Sequence, residues 1–189
     1  MEEKYRQETS DCIKVVLFGP ESTGKTTLSK QLARYYNTKW VPEYMREYLQ
    51  EKWDTNKEVC TYDDLLPIAR GQMDKENRLT KEANHILFCD TNLLELKVYS
   101  EIYYENLVPE ILNKISLENV YDLYLLTYID TPWIPDDLRD KPNEREEMFL
   151  KFEKTLKKYQ LPYIVMKGDE ISRFKKAVTI IDQLIEQKK

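Results

Sequence analysis

Glycine is scarce in this sequence, with four in 189 residues, so each one that remains carries meaning. There is no glycine-rich linker, no low-complexity tract and no internal repeat, and the chain reads as one unit of ordinary domain size. Histidine is scarcer still. The one histidine, His85, stands before an apolar run and reads as structural, which argues against histidine-based acid–base chemistry. The three cysteines, Cys12, Cys60 and Cys89, are odd in number and form no CxxC pair. Neither a disulfide framework nor a zinc site is expected from them, and they suit a reducing cytoplasm. No apolar run approaches the roughly 20 residues needed to cross a bilayer, and the start of the chain lacks a charge-flanked apolar segment. A soluble, cytoplasmic protein without a membrane partner is expected. Clustered basic residues are lacking too: the net charge is -5 and the pI near 5.2, which argues against a lasting complex with nucleic acid. The sequence is silent on oligomeric state.

What is present alternates. After a polar, charged stretch over residues 1–11, Cys12 to Phe18 reads as a buried strand rich in β-branched residues. Leu28, Leu32, Ala33 and Tyr36 then fall at helical spacing. "TKWVPEY" is a brief extended segment stopped by Pro42, followed by a helix in "YMREYLQEKW". Thr61 and Asp64 form an imperfect capping box before a helix reaching toward Ala83. "HILFCD", Leu123–Leu126 and Tyr163–Met166 are further strands. Helical stretches lie around Glu95–Tyr104, Pro109–Ile115, Glu144–Tyr159 and Ile171–Gln187. This order predicts an α/β fold of three layers, with a central, mainly parallel sheet of about five strands covered by helices on both faces.

Half of the glycines sit in one motif. Gly19-Pro20-Glu21-Ser22-Thr23-Gly24-Lys25-Thr26 matches GxxxxGK[ST] at every fixed position, with a strand before it and a helix after it. Such a loop turns successive amide N–H groups into one concavity, and the following helix adds its free N-terminal donors. Residues Gly19, Glu21, Ser22, Thr23, Gly24, Lys25, Thr26 and Thr27 are therefore candidate ATP-binding residues. Lys25 would reach the β- and γ-phosphates, and the Thr26 hydroxyl is the expected Mg²⁺ ligand. Asp90, at the end of an apolar strand, is the matching carboxylate, and so Thr26 and Asp90 are the candidate metal ligands. Helix N-capping is the alternative role for Asp90. Cys89 beside it reads as a small buried hydrophobe.

A phosphate loop alone does not separate kinases from GTPases or motor ATPases. The pair in "NKEV" at Asn56 lacks the aspartate of a guanine-reading NKxD and follows no strand. AAA-type motors usually need a longer module, and that reading stays open. A small-molecule kinase must exclude water during transfer, usually by closing a segment that brings in arginines. "DTPWIPDDLRDKPNERE" suits such a lid, over about residues 130–147, with Arg139 and Arg145 as candidate catalytic cations. On the acceptor side, Glu43 in "VPEYMREY" would hydrogen-bond a hydroxyl or accept its proton, and Arg46 would hold Glu43 or a phosphate. Asp90 is the other candidate for the proton.

Together "GPESTGKTTL", "WVPEYMREYL", "IARGQ", "FCDTN", "YDLYLLTYIDTPWIPDDLRD" and the later "ERE" resemble the ribosylnicotinamide kinase domain of the NadR family. The resemblance covers about Ile13 to Ile181. It implies a single P-loop kinase domain over residues 1–189 with a mobile lid, and ATP-dependent, Mg²⁺-assisted phosphorylation of the 5′-hydroxyl of nicotinamide riboside to nicotinamide mononucleotide. Kinases of another nucleoside or nucleotide, and a regulatory P-loop ATPase switch, are the alternatives. The substrate would contact Glu43, Tyr44, Arg46, Asn92, Trp133 and Asp136. Its cationic pyridinium ring suits an aromatic face beside a carboxylate, here Trp133 with Asp136, helped by Tyr44. One departure stands out: Asp137 occupies the position where the lid pattern has glycine, which leads one to expect a backbone cost there.

Overall fold

The structure, a computed structural model, describes residues 2–139 and 141–188. Five parallel strands form its sheet in the order β2-β3-β1-β4-β5: β1 is Ile13–Phe18, β2 Trp40–Val41, β3 Ile86–Asp90, β4 Leu123–Thr127 and β5 Tyr163–Met166. The helices between them are α1 (Lys25–Tyr35), α2 (Tyr44–Asn56), α3 (Leu65–Glu82), α4 (Leu93–Tyr103), α5 (Glu110–Glu118), α6 (Arg145–Lys158) and α7 (Glu170–Gln187). The expected class of fold is therefore present, with every strand pair parallel. Among the described residues no helix is long and apolar enough to cross a membrane.

The two-residue period of the strands divides the core. Val16, Phe18, Leu87, Cys89, Tyr124 and Leu126 face one side, where α4 and α6 supply Leu94, Val98, Phe149 and Phe152. Val15, Leu17, Phe88, Leu123 and Leu125 face the other, against Leu28 and Leu32 of α1 and Ala177 and Ile181 of α7. All six residues of β1 are buried, as a central parallel strand requires. Fully burying one such aliphatic or aromatic side chain contributes about 1.5–3 kcal/mol, and this two-sided packing fixes where the strand ends lie. Cys89 packs in the first of these cores, as a small hydrophobe does.

Local signals explain most boundaries. The Thr61–Asp64 capping box forms, on a 3₁₀ turn over Tyr62–Asp64 that leads into α3. Asn92, not Asp90, caps α4: its side chain accepts a hydrogen bond from the Glu95 amide at 3.2 Å, which leaves Asp90 free to face the sheet edge. His85 precedes β3 at the opposite end, with φ 63°, and its carbonyl accepts from the Ile13 amide. The polar start is anchored rather than loose. Gln7 and Glu8 bond Glu76, Asn77, Asn119 and Val120, which ties the segment to α3 and the end of α5.

Candidate nucleotide and acceptor site

The carboxyl ends of β1, β3 and β4 converge where strand order reverses around β1, the place at which open parallel sheets bind ligands. Gly19 leaves β1 with φ 137°, and a Cβ there would stand 2.9 Å from the Thr127 carbonyl oxygen and hydroxyl. Only glycine lets the loop cross β4 so closely. Thr127 and Thr23 share a hydroxyl hydrogen bond of 2.6 Å, and the Thr23 hydroxyl also lies 2.7 Å from the Pro20 carbonyl. Gly24 then takes a left-handed conformation, φ 81°, and α1 begins at Lys25.

Four ionisable side chains meet beside this loop. The Lys25 ammonium donates to the Gly19 and Pro20 carbonyls at 2.6 and 2.9 Å and pairs with Glu95 at 3.2 Å. Burial alone would lower the Lys25 pKa, but Glu95, then Glu43 and Asp90, outweigh it and raise it, so the group stays cationic. Glu95, in the first turn of α4, also accepts from the Gly19 amide at 3.3 Å. Its carboxyl is pushed up to about 8, chiefly by burial, with Lys25 opposing and Glu43 and Asp90 reinforcing. Burial likewise raises Glu43 and Asp90 despite the attraction of Lys25. Asp90 Oδ2 accepts from the Thr26 hydroxyl at 2.5 Å, while Asp90 Oδ1 is buried without a hydrogen-bond partner. An acid with one oxygen on the threonine hydroxyl and one unsatisfied oxygen is a donor set suited to a hard cation such as Mg²⁺.

A cavity of about 1000 Å³ opens from the loop. Glu21 to Thr27 of the loop and Lys30 of α1 line one part of it; Glu43 and Arg46 at the start of α2 line the rest together with the largely apolar wall of Leu49, Trp53, Val59, Leu65, Leu96, Tyr99, Tyr103 and Tyr104. The segment after β4 forms part of the rim through Thr131, Pro132, Ile134 and Asp137 to Arg139. It is stitched to the phosphate loop: the Thr131 hydroxyl donates to the Ser22 carbonyl at 2.9 Å, and the Ile134 amide donates to the Ser22 hydroxyl at 2.9 Å. On the far side, Asp136 pairs with Arg46 at 2.6 Å and with Arg139 at 3.1 Å, joining this segment to α2. These two arginines lower the Asp136 pKa, along with the Leu138 amide and against a larger burial effect.

Several residues fall elsewhere than the sequence suggested. Arg145 donates to the Thr131 and Ser22 carbonyls at 2.9 and 3.0 Å and lies 5.7 Å from the Trp133 ring centre, so it grips the loop backbone rather than facing the cavity. Trp133 lies outside the cavity lining, as does Tyr44. Tyr44 packs on α3 at Gly71, where a Cβ would meet its ring at 2.0 Å, and the Gln72 side chain accepts from the Tyr44 amide at 2.8 Å. The "IARGQ" stretch thus seats the start of α2. Asn92 is buried, with its amide nitrogen 3.1 Å from the Tyr124 hydroxyl. Asp137 is absent from the residues with positive φ and sits in a turn stabilised by Asp136, so the backbone cost expected for replacing glycine does not arise. The sequence reading missed Glu95, Thr127 and Arg173. Glu95 stands three residues after the asparagine that caps α4, a spacing the sequence reading did not use; the other two depend on which strand lies beside β1.

A glycine-turned loop between a central strand and a helix, with lysine, threonine and an opposing aspartate at one sheet edge, defines a phosphate-loop nucleotide-binding protein. The chain belongs to a family described as AAA domain, whose model matches residues 14–173. It is similar to the trifunctional NAD biosynthesis/regulator protein NadR of Escherichia coli (strain K12), 28% identical over 178 residues, covering 93% of this chain and 43% of that one. The NadR of Salmonella typhimurium is 28% identical over 174 residues, covering 90% of this chain and 42% of the relative. The chain thus spans less than half the length of these curated relatives. Among solved structures, a NadR protein in complex with NR superposes with a TM-score of 0.77 at 27% identity, over 92% of this chain and 51% of that one. Deoxyadenosine kinase from M. mycoides, at 14% identity and TM-score 0.69, covers 90% of this chain and 100% of its own, and shows that the fold is that of P-loop kinases.

Proposed function

We propose that this chain is an ATP-dependent kinase that transfers a phosphoryl group to the 5′-hydroxyl of nicotinamide riboside, giving nicotinamide mononucleotide for NAD biosynthesis in the cytoplasm. The observation that carries the reading is one cavity lined both by the phosphate loop and by a largely apolar wall that includes the Glu43 carboxylate, in a chain 27% identical to a NadR protein crystallised with NR. That likeness reaches across the acceptor side, not the phosphate loop alone, since it covers 92% of this chain.

On this reading the loop amides and the start of α1 receive the β- and γ-phosphates of ATP, and Lys25 exchanges the Gly19 and Pro20 carbonyls for phosphate oxygens. Thr26 and Asp90 would hold Mg²⁺, which when bound neutralises phosphate charge; the unsatisfied Asp90 Oδ1 supports that fit. Glu43, at the start of α2 and lining the cavity, orients the acceptor hydroxyl and takes its proton as the new P–O bond forms. Its raised pKa suits a proton acceptor better than an ordinary surface carboxylate. Arg46 and Arg139 share Asp136 at the rim and are placed to close the segment over the site and spread charge on the transferring group. Tyr99, Tyr103 and Tyr104 offer ring faces for the cationic pyridinium in place of Trp133.

Incubation of the purified protein with Mg²⁺-ATP and a panel of nucleosides and nucleoside monophosphates, with products weighed by mass spectrometry, tests the proposal. Nicotinamide riboside is expected to gain one phosphate with the highest kcat/KM of the panel. Preference for adenosine, uridine or a monophosphate overturns it.

A further inference from the structure

Arg173 is the fourth residue of α7 and only 3% exposed, yet no part of the chemistry above uses it. Four hydrogen bonds hold its guanidinium. Nη1 donates to the Thr23 carbonyl at 2.6 Å, Nε to the Gly168 carbonyl at 2.9 Å, and Nη2 to the Tyr128 carbonyl at 2.9 Å and to the Asp130 carboxylate. One planar fork therefore joins three segments: the phosphate loop, the root of the rim segment after β4, and the turn before α7. A rigid guanidinium does this where a lysine ammonium, a single point on a flexible stem, does not.

The contact with Thr23 has a geometric consequence for the loop. In a trans peptide the carbonyl and the next N–H point in opposite directions. Arg173 lies outside the cavity lining, whereas Thr23, Gly24 and Lys25 line it. Pulling the Thr23 oxygen outward therefore turns the Gly24 N–H away from Arg173. Arg145 and the Thr131 hydroxyl hold the preceding carbonyl, that of Ser22, in the same manner, which directs the Thr23 N–H. The left-handed backbone at Ser22, φ 55°, and at Gly24, φ 81°, needs such outside support because successive amides that converge on one point repel one another.

We propose that Arg173 is a positioning residue for the phosphate donor: it presets the Thr23–Gly24 peptide of the loop for phosphate and couples that setting to the root of the rim segment. The effect belongs to triphosphate binding and does not depend on which acceptor is used, although its value for catalysis rests on the kinase reading.

The test measures binding of Mg²⁺-AMP-PNP by calorimetry to the wild-type chain and to Arg173→Lys and Arg173→Met, each first checked for folding by circular dichroism. Lys14→Met serves as control, because it breaks the buried Lys14–Glu76 pair at the opposite end of β1 and costs stability without touching the loop. Loss of charge-assisted hydrogen bonds to the backbone is expected to weaken binding about 10-fold in Arg173→Lys and about 100-fold in Arg173→Met. The KM for acceptor should be unchanged, and the folded Lys14→Met variant should bind as the wild type does. Affinities of both Arg173 variants within twofold of wild type overturn the proposal. If neither variant folds, NMR of the nucleotide-free wild type decides: guanidinium N–H signals of Arg173 protected from exchange support the preset loop, and rapid exchange refutes it. Failure of nicotinamide riboside as acceptor leaves the binding result intact, so the two readings fail separately.

Discussion

At the phosphate end of the cavity, Lys25, Asp90 and Glu95 are 8%, 1% and 2% exposed, and each is fixed by a loop carbonyl, a hydroxyl or an amide. At the acceptor end, the Arg46–Asp136 pair has side chains 43% and 25% exposed, and the wall is apolar. The difference is physical. Charges removed from water interact strongly and must be placed accurately, so the donor side is rigid and expensive to alter. Exposed pairs are screened and individually weak, which suits the proposed role of this rim as a segment that opens to admit a nucleoside and closes over it.

If that contrast holds, substitutions should lose effect in order along the cavity. Lys25→Ala is expected to lower kcat by about 10² to 10³, the cost of losing a preorganised charge-stabilising group, in a protein that still folds. Near-normal turnover in that variant would refute the assignment of the donor end. Glu43→Gln keeps the shape and loses the proton acceptor, so kcat should fall by about 10- to 100-fold with little change in the KM for ATP. An equal loss in both parameters would move Glu43 to the donor side of the comparison.

Glu95→Gln sharpens the contrast through pH. Burial raises the Glu95 carboxyl to about 8, so between the usual carboxylate range and pH 8 the folded state holds a proton that the unfolded state has released. Its contribution is therefore present at low pH and lost as pH rises through about 8. The wild type should lose melting temperature from pH 6 to 9 relative to Glu95→Gln, by a few degrees, on the order of 5 °C. Parallel curves would mean that Glu95 titrates normally. The smallest effect is expected at the rim, where Asp136→Asn should raise the acceptor KM about two- to fivefold and leave stability within about 1 kcal/mol. A larger loss would make the rim as tightly coupled as the loop.

How legible each region was follows from the same contrast. The phosphate loop is local: eight consecutive residues between a strand and a helix state their geometry, and Asp90 follows because a parallel strand delivers its last residue to the same edge. The strand and helix order was readable for the same reason, by period and turn chemistry. The acceptor side is assembled from α2, α4 and the segment after β4, and no spacing rule relates them. Tyr44 and Trp133 illustrate the gap. An aromatic residue beside a carboxylate suggests a cation site, but Gly71 draws Tyr44 onto α3 and Arg145 holds Trp133 at the loop, while Tyr99, Tyr103 and Tyr104 reach the cavity from α4 and its end. Arg173 was invisible because its four acceptors come from three segments that only the folded sheet brings together.

The central claim is that the two ends serve one transfer, from triphosphate to nucleoside, and the fate of the γ-phosphate tests it most directly. With γ-labelled ATP, Mg²⁺ and nicotinamide riboside, the label should appear in the nucleoside monophosphate in step with ADP and should barely enter inorganic phosphate. Label released as inorganic phosphate at the same rate with and without the riboside would contradict the account and return the chain to the hydrolysing ATPases.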